Sequence, residues 1–536
     1  MSRGGDSGEI REEMDALLAA EAELLPPDAD GEERPDSAFV RSCLYNNARG
    51  DGILFARIMR GRFVQVKNWG KAGVWLQWTG HHWAIDKLDE AVNAVEEVAL
   101  LYLQEATRLK DQIKTETNTD QAKRMGAERK LYLRRVERLR GDGARKCLEW
   151  ATQIGAAHSL AIVADDIDLR PWLLPCKNGV IDLRTGKFRP GRPEEYLLRA
   201  VPIDWQGLDC PCPTWDKFIS EIHGDDPAIV GFLDRLIGYT LTGLTTEHFI
   251  GVFLGEGRNG KGTLFETLRH LLGDLAWNVS PELLMEQRNA RSSAGPSPDL
   301  ISLQGRRMVI ASESDDNRRI SGQQVKRLTG GDTITARAPH DRDETNILPS
   351  WKLFFYTNHI PRGMADDFAL KDRLVYIDYP YKYVEDPDPA DPSQKKRDPS
   401  LPQKLRAEAA GILARYVRGC LEWQETGGLH PPLKIRTAVD DLQRREDVFR
   451  QFFDECIERI PHPSDPARLD EEVRMLFKDL YTLFSTWFAE EVSDSDRFRP
   501  SKKAVSAWLE KRGFRRSKPS GIAHVHGIRP RVGDLT

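Results

Sequence analysis

The sequence predicts a mixed α/β fold: a phosphate-loop core, a helical region before it and a winged-helix-like domain after it. Three observations predict this. In Phe249 to Leu268, FIGVFLGEGRNGKGTLFETL, an apolar run to Leu254 is followed by the turn Gly255-Glu-Gly-Arg-Asn-Gly260-Lys261-Gly-Thr263 and by Leu264, Phe265 and Leu268 at helical spacing. Three more apolar runs, Met308–Ala311, Lys352–Tyr356 and Leu374–Ile377, read as buried strands of one sheet. Near the C-terminus a basic amphipathic stretch, residues 500–513, ends at a glycine and precedes a hairpin pattern, Phe514 to Arg529.

In order along the chain, residues 1–36 carry twelve acidic and three basic side chains and read as an acidic disordered tail, with one short helix over Ile10–Leu25. Residues 37–84 are aromatic (Phe63, Trp69, Trp75, Trp78, Trp83) and read as a small hairpin-bearing module whose aromatics are core rather than base-stacking. Residues 85–165 read as a long pair of charged helices broken at Thr115–Asp120 and Gly141–Gly143. Turn dipeptides Asn178-Gly179 and Thr185-Gly186 flank a short strand, Val180–Leu183, and Trp215–Gly243 reads as helical. After the core, Asp386–Ser400 is a loop rich in Pro and Asp, Leu401–Trp423 a helix, and the composition shifts at Pro431–Lys434. Residues 440–490 read as helical throughout. The expected domains are therefore 1–36 as tail, 37–205 as small domain and helical collar, 206–430 as the phosphate-loop core and 431–536 as the winged-helix-like domain.

The composition is ordinary for a soluble protein, with 40% apolar and 30% charged residues. No apolar run approaches the roughly 20 residues that span a bilayer. The seven cysteines include Cys210 and Cys212 but no second pair at zinc spacing, as expected of thiols in a reducing cytoplasm. The net charge of −5 hides a basic block, eleven Lys or Arg against one acid over residues 497–531, which suggests nucleic-acid contact by Lys502 and Lys503.

The candidate chemistry gathers around the glycine turn. Gly255, Gly257, Asn259, Gly260 and Gly262 allow backbone N–H groups to converge on phosphates, and the helix start adds positive partial charge. Lys261 reaches the β- and γ-phosphates. The residue after it is Gly262, where Ser or Thr usually holds Mg²⁺, so Thr263 is the expected metal-associated hydroxyl. Glu313 closes the strand Met308–Ala311, where an acid holds Mg²⁺ or polarises the attacking water. Asn358 follows the strand Lys352–Tyr356 and suits a γ-phosphate sensor. Arg373, always cationic and multidentate, suits the charge developing on a transferring phosphoryl group. A hairpin over residues 333–348 carries Arg337, His340 and Arg342 near its tip, placed to follow a nucleic-acid backbone.

Asn178-Gly-Val-Ile-Asp-Leu-Arg-Thr-Gly186, Gly255–Thr263, Lys326-Arg-Leu-Thr-Gly-Gly-Asp332 and Thr357-Asn-His-Ile-Pro361 with Arg373 together resemble superfamily-3 helicases of the phage and plasmid primase-helicase type, and the related poxvirus helicase-primase. The resemblance implies an AAA+-like core in a homo-hexameric ring that translocates on single-stranded or forked DNA with ATP and Mg²⁺. It implies that Arg373 is the arginine finger given to the neighbouring subunit, that Glu313 is the acidic metal and hydrolysis position, and that His340 touches DNA. Gly262, and Ser314 after Glu313, depart from the pattern at the metal. No primase module is expected, a separate primase or polymerase being the implied partner, and the expected setting is the cytoplasm of a bacterial host. The alternatives are a DNA-stimulated remodelling ATPase that does not unwind, and an origin-binding protein with a regulatory nucleotide site.

Overall fold

The computed structural model describes residues 34–531 apart from 71, 156–157, 256, 287–296, 313–319, 338–343, 359–369, 371, 439–447, 463–464, 471, 493–498 and 519–520. The acidic tail and its expected helix lie outside these residues. The segment 37–84 holds more than a hairpin. Two helices, α1 (Ser37–Tyr45) and α2 (Asn47–Ile58), precede the antiparallel strands β1 (Phe63–Val66), β2 (Val74–Trp78) and β3 (Trp83–Ile85), and β4 (Ala161–Ile162) pairs parallel with β1. Asp36 caps α1 by accepting from the Phe39 N–H at 2.7 Å. Phe63 and Trp83 are buried and Trp69, Trp75 and Trp78 pack against the surrounding cores, so these aromatics are core.

The long helical pair is α3 (Val95–Thr115) and α4 (Thr119–Leu139), followed by α5 (Gly143–Ala151). Asn118 starts α4 by accepting from the N–H groups of Asp120 and Gln121 at 3.0 and 3.2 Å. Leu101, Leu103 and Leu109 are buried, as their spacing requires. Asp51 is buried between these helices; its carboxylate accepts from Arg135 at 2.8 Å and from the Tyr102 hydroxyl at 3.0 Å.

A three-stranded meander follows, β5 (Leu173–Cys176), β6 (Gly179–Asp182) and β7 (Lys187–Arg189). Trp215–Gly243 is two helices, not one. α6 (Pro213–Ile222) stops before Gly224, which has φ +68°, and α7 (Pro227–Thr240) restarts at Asp226, whose carboxylate accepts from the Ala228 N–H at 3.1 Å.

The centre is a five-stranded sheet in which every pairing is parallel. Its strands are β8 (Ile250–Leu254), β9 (Ala276–Val279), β10 (Met308–Ser312), β13 (Lys352–Thr357) and β14 (Leu374–Asp378), in the order β14-β8-β13-β10-β9. β8 carries α8 (Lys261–Leu272) at its carboxyl end. Apolar residues on both faces bury β8, β10, β13 and β14, which is why these four read as apolar runs; β9, at the edge with Trp277 and Asn278 exposed, was not expected. Between β10 and β13 lie α9 (Gly322–Thr329) and the antiparallel hairpin of β11 (Ile334–Ala336) and β12 (Thr345–Ile347). The expected loop 386–400 includes a short strand, β16 (Gln394–Lys396), paired with β15 (Lys382–Val384). The expected helix 401–423 is split at Glu408, and its longer part, α10 (Ala409–Thr426), packs on α7.

In the last hundred residues the expected helical stretch over 440–490 is interrupted by strands in the middle. α11 (Val448–Cys456) is followed by β17 (Ile457–Arg459), β18 (Pro461–His462), β19 (Asp465–Leu469) and β20 (Arg474–Leu476), and only then by α12 (Phe477–Glu491). α13 (Lys502–Lys511) precedes β21 (Arg516–Ser517), β22 (His524–His526) and β23 (Ile528–Pro530). β20, β22 and β21 form one sheet in that order, and β17 pairs with β23. Phe452, Phe453, Phe484, Trp487, Val505 and Leu509 make its separate core.

Candidate nucleotide site at the carboxyl edge of the sheet

The chain leaves β8 at its carboxyl end and turns through Gly255–Gly260 into α8. Two of these glycines are dictated by geometry. A Cβ on Gly255 would stand 2.3 Å from Asn259 Nδ2 and 2.8 Å from the Tyr379 carbonyl oxygen. Gly260, immediately before α8, has φ +92°, and a Cβ there would meet Ile222 at 2.8 Å. Gly257 and Gly262 are different: a Cβ on either would meet nothing within 4 Å among the described residues.

Lys261 is the first residue of α8 and is only 4% exposed. Its ammonium donates to the Gly255 carbonyl, to the Thr357 carbonyl at 2.7 Å and to Asn358 Oδ1 at 3.4 Å. Asn259 is buried as well, and its Oδ1 accepts from the Lys261 N–H at 3.3 Å. β13 lies beside β8 with Thr357 opposite Leu254, so the sheet register itself brings Asn358 to the lysine. A buried lysine that donates to two carbonyls and one amide, beside an open glycine turn at a helix start, is suited to receiving an anion. The position of β8, flanked by β14 and β13 rather than by its chain neighbours, is also where open α/β sheets form a crevice.

Thr263 is half-buried on the first turn of α8. Glu313 lies outside the described residues. Among the described residues no three His, Cys, Asp or Glu side chains are grouped as a metal site. All seven cysteines are free thiols.

Sequence reasoning missed the group packed around the turn. The Tyr379 N–H donates to the Leu254 carbonyl at 2.9 Å, and the Tyr383 N–H donates to the Arg258 carbonyl at 2.7 Å. The Tyr379 hydroxyl lies 3.3 Å from Nε2 of buried His223. Burial holds His223 down at about 4, and its Nδ1 has no hydrogen-bond partner among the described residues. The signal, a histidine at a helix end and a tyrosine after a strand, has no local pattern; it arises across 156 residues of sequence.

Arg373 does not join this site. It precedes β14 at the opposite, amino edge of the sheet, where its carbonyl accepts from the Ile250 N–H at 2.8 Å and its Nη1 donates to Thr329 Oγ1 at 2.8 Å. The hairpin expected to bear DNA-contacting residues is present as β11–β12, and Arg337 stands at the end of β11, its carbonyl accepting from the Ser297 N–H at 2.9 Å. His340 and Arg342 lie outside the described residues. Lys502 is exposed at the start of α13, its ammonium 5.3 Å from the centre of the Tyr481 ring; the Lys503 side chain lies outside the described residues. No helix among the described residues is long and apolar enough to cross a membrane.

Comparison with known proteins adds a context. Residues 54–224 match the family described as D5 N terminal like, and residues 253–373 match a family of unknown function, DUF5906. The putative helicase L207/L206 of Acanthamoeba polyphaga mimivirus is 26% identical over 435 residues, covering 77% of this chain and 44% of its own length. The putative helicase 022R of Frog virus 3 is 23% identical, covering 64% of this chain and 41% of its own. The putative primase C962R of African swine fever virus is 21% identical over 61% of this chain and 34% of its own length. The chain thus spans less than half the length of these relatives. Among solved structures, the apo C terminal region of NrS-1 aligns over 61% of this chain and 79% of its own at 13% identity, with a TM-score of 0.39.

Proposed function

From its place in the D5-like superfamily 3 helicase-primase family, we propose that this chain is an ATP-driven DNA helicase that works as a ring. One observation carries the reading: the buried Lys261 ammonium, held by the carboxyl ends of β8 and β13 and by Asn358, beside an open glycine turn. In this reading the Lys261 ammonium exchanges its carbonyl contacts for the β- and γ-phosphate oxygens of ATP. The turn's backbone N–H groups hold the same phosphates, and Asn358 senses the terminal one. Mg²⁺ would be held by Thr263 with Glu313 and would neutralise phosphate charge. Glu313 orients the attacking water.

Arg373 stands a strand length away from Lys261, so it serves the nucleotide of the neighbouring subunit, and hydrolysis requires assembly into the proposed homo-hexamer. The strand order β14-β8-β13-β10-β9 supports an AAA+-like core. In the last hundred residues, the sequence of α11, β20, α12, α13, β21 and β22 with sheet order β20-β22-β21 supports a winged helix, in which Lys502 and Lys503 contact DNA. Arg337, His340 and Arg342 would follow the translocating single strand, and a separate primase or polymerase would complete the replication machinery. Placement on a phage or plasmid in a bacterial cytoplasm rests on motif resemblance; the relatives come from viruses of eukaryotes.

The test is ATP hydrolysis with and without single-stranded DNA, alongside Lys261→Ala. Turnover that rises with DNA and disappears in the variant is expected; normal turnover in Lys261→Ala would remove the site assignment. A second reading, a nucleotide site that only controls assembly on an origin, is favoured by Gly262, whose missing hydroxyl weakens the metal site. Nucleotide binding and sequence-specific duplex binding without turnover would select it.

A further inference from the structure

Resting on that reading, we infer that Thr329 is a positioning residue that holds the Arg373 guanidinium for use by the neighbouring subunit and ties it to the root of the β11–β12 hairpin. Thr329 is the last residue of α9 and is 5% exposed. Its hydroxyl has two engagements: it donates to the Val325 carbonyl at 2.7 Å and accepts from Arg373 Nη1 at 2.8 Å. The first fixes the hydroxyl on the helix, so the second fixes the arginine relative to α9. Four residues, Gly330-Gly-Asp-Thr333, then lead into β11. The preceding residue is anchored too, since the Trp351 indole N–H donates to the Leu328 carbonyl at 3.0 Å, just before β13 begins. A displacement of the hairpin root therefore acts on the residue that grips Arg373.

The chemistry of the grip favours positioning over storage. A carboxylate would neutralise the guanidinium and compete with a phosphate for it. A neutral hydroxyl takes one of the five N–H donors and leaves the charge intact. The arginine's own backbone is fixed in the sheet, its N–H donating to the Leu370 carbonyl at 3.0 Å and its carbonyl accepting from Ile250. Held at both ends, the side chain has lost much of the rotamer freedom that a surface arginine would forfeit on meeting phosphate.

The experiment compares Thr329→Val, of the same shape but without the hydroxyl, with Thr329→Ser, which keeps it. In DNA-stimulated hydrolysis the valine variant is expected to lose kcat roughly tenfold with the KM for ATP unchanged, and the serine variant to stay near wild type. Mixing Thr329→Val with Lys261→Ala subunits should restore turnover, because a wild-type arginine then faces an intact phosphate loop; a merely misfolded variant gains nothing from mixing. Thr329→Val/Arg373→Ala should be no slower than Arg373→Ala alone. If Thr329→Val does not fold, Thr329→Ala takes its place. Wild-type or faster turnover in Thr329→Val, with Arg373→Ala inactive, overturns the proposal and leaves the helicase reading standing. Wild-type turnover in Arg373→Ala instead removes the shared-site reading beneath it.

Discussion

Lys261 and Lys352 occupy opposite edges of one sheet, are 4% and 3% exposed, and both donate to backbone carbonyls. Their surroundings separate them. Lys352 Nζ donates to the Thr242 carbonyl, lies 3.4 Å from the Ser350 carbonyl oxygen and stands 4.7 Å from the centre of the Tyr239 ring. Close by, Arg307 Nη1 donates to the Pro171 carbonyl at 3.1 Å, fastening the segment before β5 to the sheet. Burial, then the charge of Arg307, holds the Lys352 amine well below its ordinary value. Lys261 rests instead on a turn whose Gly257 and Gly262 face open space. A buried lysine resting on carbonyls is thus not in itself a ligand site; room beside it for an incoming anion makes the difference.

The comparison breaks most visibly in activity. Lys261→Ala should lower hydrolysis by at least about a thousandfold while the chain stays folded, whereas Lys352→Met should leave turnover per folded molecule within about twofold. Equal losses in both variants would erase the distinction.

Stability separates the two edges by pH. Because the folded-state value of Lys352 lies well below 10.5, the unfolded chain binds more protons as pH falls below 10.5. Wild type then loses stability by up to about 1.4 kcal/mol per pH unit. Lys352→Met escapes that loss, so urea midpoints should show it gaining on wild type from pH 10 towards neutrality; parallel curves would refute the assignment.

At the carboxyl edge the window is lower. His223 is held at about 4 against 6.5 in the unfolded chain, so its neutral form supports folding above 6.5 and that support is lost as pH falls towards 4. The loss totals about 3 kcal/mol, and His223→Gln should flatten it in urea titrations at pH 4 to 7. The smallest effect concerns the metal. Open space at Gly262 admits a serine side chain. Gly262→Ser should change stability by less than about 1 kcal/mol and lower the Mg²⁺ concentration that half-saturates hydrolysis. An unchanged Mg²⁺ titration would show that a hydroxyl at this position is not limiting.

Four of the five central strands were legible because both faces of a parallel sheet are covered, which leaves apolar runs such as Leu353–Phe355; β9 was not, because at the sheet edge its Trp277 and Asn278 are exposed. The helical pair was legible from its period and its breaks. The C-terminal strands were not: Arg474–Leu476 and Ile457–Arg459 are three residues long and take their partners from His524–His526 and Ile528–Pro530, so no local pattern announces them. α2 was missed because Asn47-Ala-Arg-Gly-Asp-Gly52 carries two glycines, which weaken a helical pattern. They are there for packing, since a Cβ on Gly52 would stand 2.5 Å from the Trp150 side chain. Within the candidate site, the turn, Lys261 and Asn358 were visible because they follow apolar runs at strand ends, the first two in a local, glycine-rich spacing. The roles of His223 there, and of Thr329 and Lys352 at the opposite edge, were not, because each has its partner 44 to 156 residues away.

Arg373 and Lys261 lie at opposite ends of adjacent strands, and β14 alone spans about 16 Å. On the shared-site reading each molecule is a directional tile, offering half a catalytic centre at one edge and needing the other half at the opposite edge. Tiles laid head to tail complete one centre per contact, and an open row always leaves a spare half at each end. Closure removes both spare halves. Turnover per molecule should therefore climb with protein concentration and then level off, and a molecule lacking only its arginine should silence one neighbour while its own phosphate loop goes on working.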